Sequence, residues 1–91
     1  MKRRVQFKVS GRVQGVAYRA TARDEAIKLG ITGWIRNQET GTVVGEAEGE
    51  ASAVDAFLAW CKKGPAGARV DEIDVDDATF YGMSTKFEIR R

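Results

Sequence analysis

The most informative absence from this 91-residue sequence is histidine. Without it the chain has neither the usual general base nor the commonest metal ligand, so catalysis by a histidine-containing triad is excluded. The sequence has one cysteine, Cys61, which excludes an intramolecular disulfide and is typical of a protein from a reducing compartment. We therefore expect a cytoplasmic location.

The sequence also has no long hydrophobic run and no strong excess of one charge. Polar Gln6 and Lys8 interrupt the first apolar residues, so neither a signal peptide nor a transmembrane segment is indicated. Fifteen Lys and Arg residues against 13 Asp and Glu residues give a net charge of +2, too small to indicate a nucleic-acid or membrane partner by itself. The length predicts one domain over residues 1–91, which we expect to be monomeric.

The residues that are present form periodic patterns, beginning with a strand and a helix. Val5, Phe7 and Val9 alternate with polar residues, which predicts a first strand with one buried face. Apolar residues then recur at helical spacing from Tyr18 to Leu29, and Gly30 is typical of a helix end. The first third of the chain therefore predicts a β-strand followed by an α-helix.

The middle of the chain predicts a hairpin and a second helix. Residues 31–38 and 42–49 are β-prone and are separated by a short polar turn. Ser52 and Asp55 resemble a capping box, which would begin a helix that Gly64-Pro65 ends. The bare face of the second hairpin strand suits close packing of this helix.

An imperfect strand and a short final strand complete the chain. The first contains Val70, Ile73 and Val75 with a bulge near Asp71 and Glu72, and the second contains Thr85, Phe87 and Ile89. The order β, α, β, β, α, β predicts an α+β, ferredoxin-like split βαβ sandwich, with one mostly antiparallel sheet and both helices on one face. This fold hosts many unrelated activities, so it does not select a function.

The stretch from Ser10 to Arg19, between the first strand and the first helix, has the features of an anion-binding loop. The stretch contains Gly11 and Gly15 and the small or aliphatic residues Val13, Val16 and Ala17, so successive backbone N–H groups could converge on an anion. The loop leads into a helix start, where unpaired N–H groups and the helix dipole favour negative charge. Arg19 would be disfavoured there by about 0.3 to 1 kcal/mol unless an anion offsets it. An ordinary strand-to-helix connection with an exposed arginine is the alternative.

Asn37 is a second candidate, because it ends a strand of the same predicted sheet. Its amide oxygen can accept a proton from water and its nitrogen can donate to a phosphate, and it carries no charge that would repel the anion. The alternative is a hairpin residue that tolerates a left-handed conformation.

Three other features are more typical of structure than of function. The acidic residues 71–77 suggest a metal site, but their alternation with Val and Ile is typical of a solvated strand face. Cys61 lies in an apolar helix stripe and is predicted to be buried. Phe7 could resemble a strand aromatic that stacks on RNA, yet residues 43–49 offer no aromatic partner and include Glu46 and Glu48, so RNA stacking is not favoured.

Taken together, the chain resembles the acylphosphatase family along essentially its whole length, with its motifs in order and at matching spacing. The motifs are Gly11-Arg12-Val13-Gln14-Gly15-Val16-Ala17-Tyr18-Arg19, Gly33-Trp34-Ile35-Arg36-Asn37, Gly64-Pro65 and Ala68-Arg69-Val70. Two positions depart from the family: Ala17 stands where glycine or another small residue is often found, and Tyr18 where phenylalanine is usual. An alanine could restrict a positive φ, so the loop geometry is the feature most affected.

The resemblance implies a ferredoxin-like fold and hydrolysis of the carboxyl-phosphate bond of small-molecule acyl phosphates, which releases a carboxylate and inorganic phosphate. It implies hydrolysis without a metal, and we expect no cofactor. From the small net charge we expect neither a nucleic-acid nor a membrane partner. By resemblance, Arg19 is the catalytic, phosphate-binding arginine and Asn37 positions the water. The backbone phosphate-binding loop is formed by Gln14, Gly15, Val16, Ala17 and Tyr18. A non-catalytic anion-binding or regulatory module that shares the loop is the alternative.

Overall fold

Alternation of apolar and polar residues builds the first strand, β1 (Lys2–Arg12). The structure is a computed structural model, which describes residues 1–82 and 84–91. The other elements follow in the predicted order. They are α1 (Tyr18–Leu29), β2 (Thr32–Asn37), β3 (Val43–Glu50), α2 (Ala51–Lys63), β4 (Arg69–Ala78) and β5 (Phe87–Arg90). The bounds of α1 are those that the sequence predicts, whereas Thr85 lies outside the last strand.

The five strands form one sheet in the order β4-β1-β3-β2-β5. The pairs β1–β3, β1–β4 and β2–β3 are antiparallel, and only the pairing of β2 with β5 is parallel among the described strands. This topology is the predicted ferredoxin-like α+β arrangement, in which the central hairpin separates the two helices along the chain. Neither helix of the described ranges has the length and apolar character needed to cross a membrane.

The core lies between one face of the sheet and the two helices. Phe57 of α2 packs between Phe7 and Phe87, with ring centroids 5.8 and 5.6 Å away. Gly45 of β3 makes room for Phe7, since a Cβ there would lie 2.7 Å from the Phe7 ring carbon Cζ. The bare face of β3 is therefore partly filled by an aromatic ring of the neighbouring strand, beneath the helix.

The start of α2 differs from the predicted capping box. The helix begins at Ala51, its N-cap residue Glu50 makes no side-chain capping bond, and Ser52 lies inside the first turn. β3 runs directly into α2, and Met1, which precedes β1, supplies the partners instead. The Ala51 N–H donates to the Met1 carbonyl oxygen at 2.8 Å, and the Glu50 carboxylate accepts from the N-terminal ammonium at 3.0 Å. The capping-box prediction is wrong because those partners are 49 to 50 residues away in sequence.

The predicted bulge in β4 is present and faces the end of β1. Ser10 pairs with Glu72 and Gly11 with Val70, so Asp71 is the extra residue. Gly11 has φ +124°, and a Cβ there would lie 2.1 Å from the Arg69 carbonyl oxygen. The bulge in β4 thus lies opposite Ser10 and Gly11, just before the chain leaves β1 for the loop that leads to α1.

Candidate active site

The loop between β1 and α1 enters the helix through two residues with positive φ. Gly15 has φ +76° and Ala17, the N-cap of α1, has φ +61° and ψ 25°. Ala17 provides no side-chain cap, and the first turn of α1 contains no acidic residue. The positive end of this helix therefore has no neutralising group of its own.

A row of backbone N–H groups lies along this loop and helix start. Among the described residues, the N–H groups of residues 14–19 donate no hydrogen bond to the main chain in the loop or at the helix start. The first such donor after them is Thr21, whose N–H reaches the Ala17 carbonyl oxygen at 3.1 Å. The unpaired N–H groups are suited to bind an anion, and the helix dipole adds to their attraction.

Arg19 lies in the first turn of α1 and is half-buried. In the part of the chain that the structure describes, its guanidinium forms no ion pair with a carboxylate. A fork of N–H donors thus stands beside the unpaired backbone donors. Such a group matches the oxygens of a phosphate in geometry as well as in charge.

Asn37 is the last residue of β2 and pairs with Val43 of β3. Its Oδ1 is buried and has no hydrogen-bond partner, which is true of no other buried side-chain nitrogen or oxygen in residues 1–82 and 84–91. A buried acceptor without a partner lowers folding stability by about 1 to 3 kcal/mol, so such an atom is expected to serve a function.

One pocket of about 180 Å³ brings most of the predicted site residues together. Six of the seven predicted residues line it, namely Gln14, Gly15, Ala17, Tyr18, Arg19 and Asn37. Val16 does not, because its half-buried side chain packs against the hydrophobic core. The structure thus places the loop, the arginine and the amide around one small cavity.

Two features of this pocket were missed by sequence reasoning. Ile89 of β5 contributes to the lining, since the parallel pairing of β5 with β2 sets it beside Ile35. The side chain of Gln14 forms hydrogen bonds to the β2–β3 turn, in addition to any role of its backbone. The alternation of β5 indicates a buried Ile89, but no local signal in the sequence identifies its neighbour.

The remaining candidates lie away from this pocket. The acidic residues 71–77 lie on β4, at one edge of the sheet, and no three His, Cys, Asp or Glu side chains of the described residues are grouped to hold a metal ion. Cys61 is buried, and burial raises the pKa of its thiol to about 12 against a weaker opposing effect of the nearby Tyr18 hydroxyl. This thiol therefore stays protonated and unreactive near neutral pH.

A larger groove of about 580 Å³ is lined by none of the loop residues. Its lining mixes acidic, basic and apolar side chains, including Gln6, Lys8, Trp34, Val44, Glu46, Asp74 and Asp76. Glu46 is already engaged there, since its carboxylate accepts hydrogen bonds from Arg4, Gln6 and Trp34. The size of a pocket alone therefore does not identify the predicted active site.

The fold and the smaller pocket together define an α+β domain with a pocket suited to an anion. The family model for acylphosphatase matches residues 5–89. A curated acylphosphatase from Methylococcus capsulatus is 51% identical over 89 residues, covering 98% of this chain and 97% of that protein. Another, from Anaeromyxobacter dehalogenans, is 49% identical over 87 residues, covering 96% of this chain and 94% of that protein.

Solved structures agree with these sequence matches. The crystal structure of acylphosphatase from Bacillus subtilis has a TM-score of 0.94 at 32% identity, with both chains covered completely. The chain belongs to the acylphosphatase family, whose members are hydrolases that act on acid anhydrides. Membership implies a small-molecule acyl phosphate as substrate and phosphate as product.

Proposed function

We propose that this chain hydrolyses acyl phosphates without a metal ion, by attack of a water that Asn37 holds on a phosphate bound by the loop and Arg19. The observation that carries the proposal is the Asn37 Oδ1 atom. It is a buried acceptor without a protein partner among the described residues, and Asn37 lines the same pocket as the loop and the arginine.

The phosphate is held by the backbone N–H groups of residues 14–18 and by the Arg19 guanidinium. Charge in phosphoryl transfer spreads over three equatorial oxygens, so donors arranged around them stabilise the transition state. Gly15 and Ala17 at positive φ give the loop the conformation in which it lines the pocket. Positioning and charge stabilisation are thus supplied by the fold itself.

The water is oriented by the Asn37 amide, whose oxygen accepts a hydrogen bond from it while the nitrogen donates to the phosphate. Attack forms a bond from the water oxygen to phosphorus and breaks the bond from phosphorus to the carboxyl oxygen. The water proton passes to the phosphate, since the pocket lining offers no side-chain base. The carboxylate leaves without help from an acid, because the pKa of its conjugate acid is about 4.

Three further predictions from the sequence accompany this proposal. We propose that residues 1–91 form a single domain, that the chain is a monomer and that it resides in the cytoplasm. The last rests on the single cysteine, Cys61, which fits a reducing compartment.

The test is an assay of benzoyl phosphate hydrolysis by the purified chain, with and without EDTA. We expect turnover to benzoate and inorganic phosphate at a rate that EDTA does not change. Phosphate binding without turnover would support a non-catalytic anion-binding module instead. Loss of turnover with EDTA would contradict metal independence and direct attention to the acidic strand β4.

A further inference from the structure

We infer that the side chain of Gln14 is a positioning residue, which holds the phosphate-binding loop at a set distance from Asn37. Its amide nitrogen Nε2 donates to the Gln38 carbonyl oxygen at 2.8 Å and to the Thr42 carbonyl oxygen at 2.9 Å. Both hydrogens of the amide are therefore used, and both partners belong to the turn between β2 and β3. The side chain thus links the loop to two residues that lie 24 and 28 positions later in the sequence.

The two acceptors are adjacent to the residue that is proposed to hold the water. Gln38 directly follows Asn37, and Thr42 directly precedes Val43, the residue with which Asn37 pairs across the hairpin. On the other side, Gln14 directly precedes Gly15, where the row of unpaired N–H groups continues. A single amide thus joins the two halves of the site.

The turn itself does not depend on Gln14. The Gln38 N–H donates to the Thr42 carbonyl oxygen at 2.9 Å, and the Gly41 N–H donates to the Gln38 carbonyl oxygen at 3.1 Å. Each carbonyl therefore retains a partner if the Gln14 amide is removed, so the hairpin stays closed. What is lost is the tie between the turn and the loop, which is why we assign the side chain to positioning.

The inference rests on the proposed function, since it concerns the distance between the bound phosphate and the attacking water. A shift of about 1 Å between reacting groups can lower a rate by as much as about 100-fold. Removal of the tie should therefore slow turnover while the backbone donors still bind phosphate. A purely structural role would instead lower stability or weaken phosphate binding.

The experiment is a double-mutant cycle with Gln14→Met and Asn37→Ala. Methionine keeps the length of glutamine but donates no hydrogen bond. We expect Gln14→Met to lower kcat for benzoyl phosphate by about tenfold or more, with the competitive inhibition constant of inorganic phosphate changed by less than about threefold. In the Asn37→Ala background, the same substitution should lower kcat by less than about twofold, because the residue that it positions is already gone.

Gln6→Met is the matched control, because Gln6 also donates a side-chain hydrogen bond, to Glu46 at 3.0 Å, and does not line this pocket. Its kcat should equal that of the unsubstituted chain. An equal loss from Gln14→Met in both backgrounds, an unchanged kcat or a large loss of phosphate affinity would each overturn the inference. An unsubstituted chain without turnover, or an Asn37→Ala variant with full turnover, would instead overturn the proposed function.

Gln14→Glu provides a second test should Gln14→Met fold poorly. A carboxylate at this position would face two carbonyl oxygens, whereas the protonated acid could donate to one of them. The kcat of this variant relative to the unsubstituted chain should therefore rise as the pH falls from 7 to about 5. A ratio that does not change with pH would contradict the positioning role.

Discussion

The Tyr18 hydroxyl donates a 2.6 Å hydrogen bond to the Cys61 carbonyl oxygen, and this bond ties the first residue of α1 to the last turn of α2. The helical partner of that carbonyl would be the N–H of residue 65, which is Pro65 and has none. The tyrosine hydroxyl thus replaces a donor that proline lacks. Burial is the main cause that raises the pKa of Tyr18, so the hydroxyl remains a donor.

Substitution of Tyr18 by phenylalanine tests this bond. The ring packing against Trp60 should be kept, while the Cys61 carbonyl loses its partner in a buried place. We expect the free energy of unfolding to fall by about 1 to 3 kcal/mol, with kcat changed by less than about threefold. Urea unfolding and the benzoyl phosphate assay measure the two effects, and unchanged stability would show that the bond is not needed.

Ala17 is the one non-glycine residue with positive φ among the described residues. A left-handed conformation costs an alanine about 1 to 2 kcal/mol, whereas glycine loses about 0.5 to 1 kcal/mol through its flexibility when unfolded. Ala17→Gly should therefore stabilise the chain by up to about 1 kcal/mol. Ala20→Gly is the matched control, since Ala20 lies inside α1 and should lose about 1 kcal/mol. Thermal unfolding that moved both variants in the same direction would contradict this account.

The role of Arg19 can be tested by removing its side chain and by replacing it with one that keeps only the charge. We expect Arg19→Ala to cost at least about 2 to 3 kcal/mol in kcat/KM for benzoyl phosphate, because donors to the transition-state oxygens are removed. Arg19→Lys should fail similarly, since an ammonium group cannot form two parallel bonds. Arg23→Ala removes an exposed arginine one turn later that does not line the pocket, so its kcat/KM should be unchanged. Full activity in Arg19→Ala would remove the arginine from the mechanism.

Asn37 can be tested by separating turnover from phosphate binding. We expect Asn37→Ala to lose at least about 100-fold in kcat, with the inhibition constant of inorganic phosphate nearly unchanged. Asn37→Asp should lose both, because a carboxylate in the pocket repels the phosphate. An alanine variant that turned over normally but bound phosphate poorly would assign Asn37 to binding rather than to the water.

Glu46 should make stability depend on pH. Burial alone would raise the pKa of its carboxyl, but hydrogen bonds from Gln6, Arg4 and Trp34 lower it below the usual 4.5. Because the unfolded chain binds this proton more readily, the stabilisation is present above pH 4.5 and is lost as the pH falls through the lower, folded value. In urea unfolding, the difference in stability between the unsubstituted chain and Glu46→Gln should shrink below pH 4.5. A difference that stays constant would contradict this linkage.

Much of the fold was predictable because its signals are local. The alternation at Val5, Phe7 and Val9 specified a half-buried strand, and helical spacing up to Gly30 specified α1 with its observed bounds. The imperfect alternation of apolar and polar residues near Asp71 indicated a bulge, which the structure contains. The capping box at Ser52 failed for the opposite reason, since groups of Met1, distant in sequence, serve the start of α2.

The sequence by itself determined the order of elements and identified the loop, Arg19 and Asn37 as candidates for an anion site. Periodicity, glycine position and helix polarity are properties of neighbouring residues, and the family motifs are read directly from the chain. Only the tertiary structure decided that Asn37 Oδ1 is buried without a partner among the described residues, that Ile89 lines the pocket and that Gln14 bonds the hairpin turn. These depend on strand register and chain packing, which join residues far apart in sequence, such as Gln14 with Gln38 and Ile35 with Ile89, that no local pattern relates.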